Sequence, residues 1–587
     1  MKPLRRIAIG CALAFSAYAT RASAEADTFG VGSGRSGPGS ITAADSIVNA
    51  YAPITTAVAA GATKLIAGTV EGAGAFAAGD LVLVWQARGG HASPLVSGDP
   101  TALTLGATST TGHYELARVL RVTELPDTTR EIELTFPLVT SFDAGASQIV
   151  RVPEYASLAI SAGASITPLA WNGSIGGIAV VFVRGTLQND GALDGSARGF
   201  RGGRTERFDA PSPFSRGCTA LDGRDPNVAG SNPAGGGATK GEGTDPSAYA
   251  ESVPSPEPRH YGRGNVGAGG GGGNCANAGG GGGGGSGRGG LGGASRPGDG
   301  LRPVGGLGGV ATSITSTSTH LVCGGGGGSG HDNERLPDAS REGHGGAVLL
   351  VRAKSITGAG TFVSDGRSIT AAPNTDGGSG GGAGGTIVLS TTAPATCTRV
   401  SARGGRGQDA TGQRGAGGGG GGGLVVVRPA PAAPCALEVT GGAGGVSGSD
   451  GAAGDVGTTS TGGVVVADDC QPSTGRCGGC LTDAECTGGS RCSPISHACE
   501  SGEPAVDASA PDASVDAAPD AAPPVVDASV DAAAPPSPPP PPDPEGSIEG
   551  AGGCEVQRRS GADVGLLASI ALVVALRAAR RRARRRG

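Results

Sequence analysis

Residues 345–369 read GGAVLLVRAKSITGAGTFVSDGRSI. A glycine pair opens an apolar run, Gly358-Ala359-Gly360 breaks it, and a second short run, Thr361-Phe362-Val363, leads back into glycine. The same order recurs. Residues 384–390 are GGTIVLS, followed at 399–407 by RVSARGGRG; Gly422-Gly423 opens LVVV, followed at 437–445 by LEVTGGAGG; and Gly462-Gly463 opens VVV. The starts at 345, 384, 422 and 462 are 39, 38 and 40 residues apart, and an earlier copy begins at 176 with GGIAVVFV. A run of four to six apolar residues rich in Val and Ile reads as a strand buried on both faces. One strand–turn–strand unit cannot bury those faces alone, whereas stacking on neighbours does so. Residues 171–468 are therefore expected to form a glycine-rich β-solenoid, parallel β-helix-like, with glycine closing its turns.

Between the copies at 176 and 345 lie about 130 extra residues, roughly 203–343. They hold most of the longest glycine runs, at 269–273, 279–285 and 324–328. Glycine is 115 of 587 residues and comes in runs without a Gly-X-Y period, which excludes collagen. Two readings of the insert stay open. Chains without Cβ atoms pack as closely spaced extended strands, like polyglycine II layers; the alternative is a flexible loop, favoured by the entropy that glycine loses on ordering. Aromatic residues make up 3% of the chain, so a thick core around a large enzyme pocket is disfavoured. Cys218, Cys275, Cys323, Cys397 and Cys435 are odd in number, so one of them is expected to pair with Cys470 or Cys477.

Residues 25–170 read as a separate β-sandwich or barrel. DLVLVW at 80–85, residues 116–122, the alternating EIELTF at 131–136 and residues 148–152 are strand candidates, with Pro126-Asp127 as a turn.

The ends are targeting segments. Lys2, Arg5 and Arg6, an apolar stretch over 7–18 and Ala22-Ser23-Ala24 make residues 1–24 a signal peptide cut after Ala24. Cys11 reads as a small residue inside it. Residues 564–576 are apolar and precede seven arginines, the pattern of a transmembrane segment whose basic side stays cytoplasmic. Removing both ends leaves 32 basic and 49 acidic residues in 25–553, a net charge of −17, which excludes nucleic acid as an expected partner.

Ahead of that segment, residues 503–545 carry 13 prolines, nine acids and no base, the composition of a disordered stalk. Cys470, Cys477, Cys480, Cys486, Cys492 and Cys499 sit before it in a unit too small for a core. In an exported chain six such cysteines read as a disulfide knot with 15 possible pairings. Zinc is the rival, since Cys477-x2-Cys480 has ligand spacing and His497 is close.

Three stretches carry resemblances. Gly552-Gly553-Cys554, a spacer, the apolar segment and the arginine block over 552–587 resemble the MYXO-CTERM sorting signal of myxobacterial surface proteins. That resemblance implies surface anchoring and a C-terminal processing protease that recognises the signal through Cys554. The cysteine unit is similar to Cys-rich repeats of myxobacterial exported proteins. AGDLVLVWQA, the stretch from SQIVRVPEYASLAI through GGIAVVFVRGTL, and YGRGNVGAGGGGGNCANAGGGGGGG resemble glycine-rich myxobacterial surface proteins, some labelled adventurous-gliding-motility proteins. Gliding motility or adhesion is what that resemblance implies.

No catalytic constellation stands out. Gly377-Gly378-Ser379-Gly380-Gly381 fits G-x-S-x-G without a strand–turn–helix, and Lys240 is followed by glycine, so no phosphate loop forms there. His331, Asp332, Glu334, Asp338, Glu342 and His344 are the best cluster for a divalent ion, yet a solvated charged tract is the default, and no metal or cofactor is expected. Arg184, Arg352 and Arg428 near the strand ends read as a basic ladder, which either binds acidic polysaccharide or keeps the surface soluble. The expectation is a non-catalytic structural or adhesive protein, exported and held at the cell surface through its C-terminus, with envelope or extracellular polysaccharide as partner. The alternatives are a carbohydrate-binding surface protein and a solenoid polysaccharide lyase or hydrolase. The latter needs paired carboxylates on adjacent coils.

Overall fold

A computed structural model of the chain describes residues 30–447 except 92, 107–108, 206–236, 253–257, 275–276, 296–304, 333–337, 429–430 and 433. Beyond these it gives the backbone of Val464–Val466, Cys470–Gln471, Arg476–Cys477, Arg491–Cys492 and Cys499–Glu500. The chain divides into two units, Met1–Val506 and Asp507–Gly587, and every described residue lies in the first. The signal peptide, Cys554, the stalk and the segment 564–576 fall outside the described residues. Within them there is no α-helix, and no helix long and apolar enough to cross a membrane.

The N-terminal part is a barrel. Lys64–Ala67, Arg130–Leu134, Tyr114–Glu124, Leu81–Gln86, Ser147–Val152 and Ala50–Pro53 pair antiparallel in that order, with Glu71–Gly72 added on the last. The sheet closes where Ile54 bridges Ala67, through Thr55 N–H to Ile66 O at 3.0 Å and Gly68 N–H to Pro53 O at 2.9 Å. Closure removes the free edges that an open sheet would present. Leu81–Gln86 is buried on both sides because two cores use it: Val82 and Val84 fill the barrel, whereas Leu81, Leu83 and Trp85 face the solenoid. Leu120 is the extra residue of a bulge between Val119 and Arg121 and stands exposed.

The solenoid is a pair of parallel sheets. The larger runs Pro38–Ile41, Ser157–Ile160, Ile178–Asn189, Val348–Thr357, Thr386–Ser390, Leu424–Arg428 and Val464–Val466. The smaller runs Ser165–Ile166, Ala192–Asp194, Thr361–Val363, Arg399–Ser401 and Ala436–Glu438. Val348 pairs with Thr386, Thr386 with Leu424 and Val425 with Val464, so the repeat of 38 or 39 residues is the register of one sheet. Alternate residues explain the unbroken apolar runs. Ile178, Val180 and Phe182 pack toward the barrel, while Ala179, Val181 and Val183 pack between the sheets against Leu193, Phe362 and Val400. Pro38–Ile41 and Ser157–Ile160, which fall in the span read as the first domain, belong to this sheet.

The barrel is pinned to the solenoid and the insert by polar side chains that satisfy their backbone carbonyls. Asn49 Nδ2 donates to Val180 O (2.8 Å), Tyr51 Oη to Ile178 O (2.8 Å) and Trp85 Nε1 to Leu321 O (3.0 Å).

The glycine runs are neither turns nor a loose loop. Residues 279–285 form an extended run that hydrogen-bonds to six neighbours. The N–H groups of Gly279, Gly282 and Gly285 donate to Gly293, Gly290 and Gly287; those of Gly280 and Gly283 to Gly378 and Gly381; those of Gly281 and Gly284 to Gly271 and Ala268, all at 2.7–3.0 Å. The carbonyls of the same run accept from Gly306 and Gly309, from Gly418 and Gly421, and from Gly325 and Gly328. Partners change with every residue and return every third. That is a three-residue helix without internal hydrogen bonds, the polyproline II geometry, packed as a hexagonal polyglycine II bundle. None of residues 279–285 has a positive φ, so glycine is required here by close approach, not by backbone angle. A Cβ would stand 2.1 Å from Gly328 O at Gly280, 2.1 Å from Leu307 O at Gly281 and 1.9 Å from Gly419 O at Gly282. Each coil thus runs from a polyglycine helix into a strand of the large sheet, back through the small sheet, and out along another polyglycine helix. The insert supplies the bundle's centre.

Outer helices carry a side chain every third residue where one face is free. Arg288, Leu291 and Ala294 do so on one row, Arg403, Arg406 and Asp409 on a second, and Thr440, Ala443 and Val446 on a third.

Candidate functional site

Two arrangements of charge lie on this scaffold, one at the seam between barrel and bundle and one on the outer face.

At the seam, Glu242 is completely buried. Its Oε1 takes Arg88 Nη1 at 2.5 Å and its Oε2 takes Arg201 Nε at 2.8 Å. Arg88 comes from the barrel and Arg201 from the first coil, so one carboxylate ties both to the insert. Glu251 forms a two-pronged pair with Arg201, both bonds at 2.8 Å. Burial alone would raise the Glu242 carboxyl, but the guanidiniums of Arg201 and Arg88 outweigh it and hold it below the ordinary carboxylate range. Arg88 lies 5.6 Å over the Trp171 ring and Arg201 4.2 Å over Tyr249. Trp171 meets Trp85 and Phe200 edge to face. Two guanidiniums and two carboxylates thus balance in charge, with Glu242 enclosed beside the aromatic rings and Glu251 facing solvent.

The outer face continues the small sheet into its polyglycine rows. Gly366 N–H donates to Arg403 O, Ile369 to Arg406, Gly404 to Thr440, Gly407 to Ala443 and Ala410 to Val446, at 2.8–3.0 Å. Side chains two or three residues apart stand outward from these rows. Arg403 is held between Asp365 Oδ2 and Glu438 Oε2 on the two adjacent rows, 3.4 Å from each. Arg406 pairs with Asp409 at 2.5 Å. Asp365 Oδ1 also accepts from Ser401 Oγ at 2.6 Å and Arg403 N–H at 2.7 Å. Asp365 and Asp409 are therefore committed to fixed donors, while among the described residues Glu438 meets the Arg403 charge alone. A general acid or nucleophile would need one freed and shifted toward neutral pH.

The expected arginine ladder does not form. Arg352 pairs in register with Phe182 and Ser390, and Ser390 with Arg428, so a serine separates the two arginines. Arg352 is 9% exposed and lies 5.2 Å over the Phe182 ring. Arg428 Nη2 donates to Thr317 Oγ1 at 3.2 Å. Arg184 follows the irregularity after Val183, is exposed, and donates to Ser33 O at 3.3 Å. An alternating strand sends these residues to different neighbours once the register slips.

In the tract at 331–344, where the sequence suggested a solvated loop, His331, Asp332 and Arg341 are buried, whereas Asp338, Ala339 and Ser340 are exposed. Asp332 binds Arg341 Nη1 at 2.5 Å, and both are almost fully covered. Arg341 Nε donates to Gln408 Oε1 at 3.2 Å. Asp338 caps a single turn at Ala339–Arg341. Among the described residues no three His, Cys, Asp or Glu side chains gather to hold a metal, and Glu334 lies outside them.

Cysteines divide differently from expectation. Cys397 and Cys435 form a disulfide, 38 residues apart, joining equivalent places on consecutive coils. That separation is the repeat length, a signal present in the sequence itself. Cys323 is free and buried; its thiol, pushed up by burial, donates to Gly177 O at 3.3 Å. The expectation that one cysteine outside the knot pairs with Cys470 or Cys477 rests on Cys218 and Cys275, which lie outside the described residues. In the cysteine-rich unit the backbone sets Cys470 opposite Cys477 and Cys492 opposite Cys499. Cys480 and Cys486 lie outside the described residues.

No model of a known protein family matches the chain, and no curated protein matches it. Among solved structures it has a similarity to the tailspike protein gp49 from Pseudomonas phage LKA1, at 9% identity over 70% of this chain and 67% of that one. The TM-score of 0.13 is too low to relate the two folds.

Proposed function

We propose that the chain is a non-catalytic structural or adhesive protein of the cell envelope, exported by residues 1–24 and held at the surface through 552–587. The polyglycine II bundle is the observation that carries this reading. It commits the coil rows and the glycine runs at 269–273, 279–285 and 324–328 of the insert to a close-packed lattice in which glycine Cβ positions lie about 2 Å from neighbouring carbonyls. Such a lattice resists deformation and presents a flat face. A stalk over 503–545 would hold it away from the membrane, at about 3.1 Å per extended residue. The charge of −17 on the exported part and the resemblance to myxobacterial surface proteins support placement outside the cell, with gliding motility or cohesion as the process served.

Deleting the gene and scoring cohesion, adhesion to a surface and gliding tests this. Loss of at least one is expected; unchanged behaviour in all three refutes it. Mass mapping of the mature C-terminus near Cys554 tests the anchor by itself.

A second reading, carbohydrate binding without turnover, is favoured by the outer face, where Arg403 and Arg406 stand three residues apart, partly exposed, and Ser368 Oγ accepts from Arg406 N–H at 3.0 Å. Retention on immobilised envelope polysaccharide, lost in Arg403→Ala with Arg406→Ala, would support it.

A further inference from the structure

An inner row of the polyglycine lattice has six neighbours, as 279–285 does. Row 415–423 has five among the described residues: 377–385, 402–408, 440–446, 287–293 and 279–285. Bonds among these neighbours order them around it. Row 402–408 joins 377–385 to 440–446, through Gly405 N–H to Gly382 O at 2.8 Å and Gly404 N–H to Thr440 O at 2.9 Å. Row 279–285 joins 377–385 to 287–293, through Gly280 N–H to Gly378 O and Gly282 N–H to Gly290 O, both at 2.9 Å. The ring is therefore open at one place, between 440–446 and 287–293.

Row 415–423 turns donors into that opening. Gly417, Gly420 and Gly423 donate to 402–408, and Gly418 and Gly421 donate to 279–285. The third set of N–H groups, on Ala416, Gly419 and Gly422, belongs to buried residues and meets no acceptor among the described residues. Buried backbone N–H groups are paired as a rule, so the opening needs an occupant with carbonyls. One coil earlier the corresponding donors, Gly378, Gly381 and Gly384, are taken by Gly415, Gly418 and Gly421 O at 2.8–3.0 Å, which belong to the next return row.

Both flanking rows keep the opening clear of side chains. In 287–293 the Cβ positions of Gly289 and Gly292 face Gly282 O and Gly279 O, and Arg288 and Leu291 stand in solvent, which leaves Gly287, Gly290 and Gly293 on the third face. In 440–446 those of Gly442 and Gly445 face Gly405 O and Gln408 O, and Ala443 and Val446 stand in solvent, which leaves Gly441 and Gly444.

One stretch of the chain has the right ends and the right period. Row 440–446 leads away from the sheets, and Val464 begins the next strand in register with Val425, so the chain between them has to come back to the sheet. A row seated in the opening has neighbours on one side, so it needs a bare face at every third residue and is free at the other two. Residues 448–463 read GSDGAAGDVGTTSTGG, with Gly448, Gly451, Gly454, Gly457, Ser460 and Gly463 at every third position.

We propose that residues 448–463 fill the opening as the last row of the lattice. Their carbonyls accept from Ala416, Gly419 and Gly422, their glycine face packs on 415–423, and their other two faces carry Asp450, Asp455, Thr458 and Thr459 into solvent. Side chains on both outer faces leave no room for a further row at lattice spacing. The segment is thus a cap that ends the bundle and keeps a second copy of the chain from extending it.

Hydrogen exchange of the full chain at pH 7, read at single amides, tests this. Ala416, Gly419 and Gly422 are expected to be protected to within about 10-fold of Gly418 and Gly421, whose acceptors are in place. Exchange at the rate of exposed amides overturns the proposal. So does protection that appears only as protein concentration rises, together with a dimer in sedimentation, since a second copy then fills the opening. Gly457→Leu sets a side chain on the packed face and is expected to lower protection of the three amides by about 10-fold or more, with Leu81–Gln86 unchanged. Thr458→Leu, on an outer face, is expected to leave them as they are. The same response to both substitutions overturns the proposal. If Gly457→Leu also opens Leu81–Gln86, Gly457→Ala takes its place with the same two outcomes.

Discussion

Gly282→Ala separates a close-packed polyglycine lattice from an ordinary glycine-rich loop. At an unstrained site, alanine in place of glycine stabilises by about 0.4–1 kcal/mol, because it restricts the unfolded chain. Gly282 has no positive φ, so that rule would apply if space allowed. The added Cβ, however, falls 1.9 Å from Gly419 O and 2.4 Å from its carbonyl carbon, where ordinary contact needs well over 3 Å. The row at 418–421 must move by more than an ångström. That motion parts Gly418 N–H from Gly280 O, Gly421 N–H from Gly283 O and Gly290 N–H from Gly419 O, now 2.8–2.9 Å. The groups lie where water does not reach, and each broken buried pair costs about 1–3 kcal/mol, so three cost about 3–9 kcal/mol. The loss is comparable with the whole stability of a typical domain. Thermal and denaturant unfolding of the variant beside Ala443→Gly, whose side chain is exposed, measures it. The control is expected to change stability by less than about 1 kcal/mol. A Gly282→Ala protein as stable as the wild type, or more stable, refutes the lattice.

Other consequences follow from the same geometry. Replacing Cys397 and Cys435 by serine opens a loop of 38 residues, and the loop-closure model gives a loss of about 4 kcal/mol; an unchanged melting temperature under reducing conditions would contradict the bond's role. Glu242→Gln leaves Arg88 and Arg201 without their shared anion and is expected to cost about 3–5 kcal/mol in denaturant unfolding at pH 7. Because that carboxyl is held low when folded, its contribution is present above the ordinary value of 4.5 and is lost as the pH falls through the folded value. The gap between wild type and Glu242→Gln should therefore narrow in acid, and a gap that widens would show the sign to be wrong. Phe362→Ala, between the two sheets, is expected to cost about 3–5 kcal/mol, and a loss under 1 kcal/mol would place the core elsewhere.

The solenoid was legible because its evidence is local: a glycine pair, an apolar run, a turn and a second run, repeated at the spacing that the sheet register then reproduces. The barrel was legible for the same reason, since alternation over 131–136 and an unbroken run over 80–85 report one buried face and two. Pro38–Ile41 and Ser157–Ile160 were not, because four residues with one or two apolar side chains look like any loop until a parallel neighbour is known. For the polyglycine insert the sequence leaves two readings open, close-packed polyglycine II layers and a flexible loop, and the structure shows the first; residues 279–285 themselves have no sequence feature beyond the absence of side chains to decide between them. The clue was in the outer rows. Arg288-Gly-Gly-Leu291-Gly-Gly-Ala294 and Thr440-Gly-Gly-Ala443-Gly-Gly-Val446 keep a side chain at every third position, the period of a helix with one face free and two buried. A flexible loop has no reason to keep that period. Where the spacing gives way to unbroken glycine, as over 279–285, all three faces are covered, so run length by itself ranks each row from the rim of the lattice to its centre.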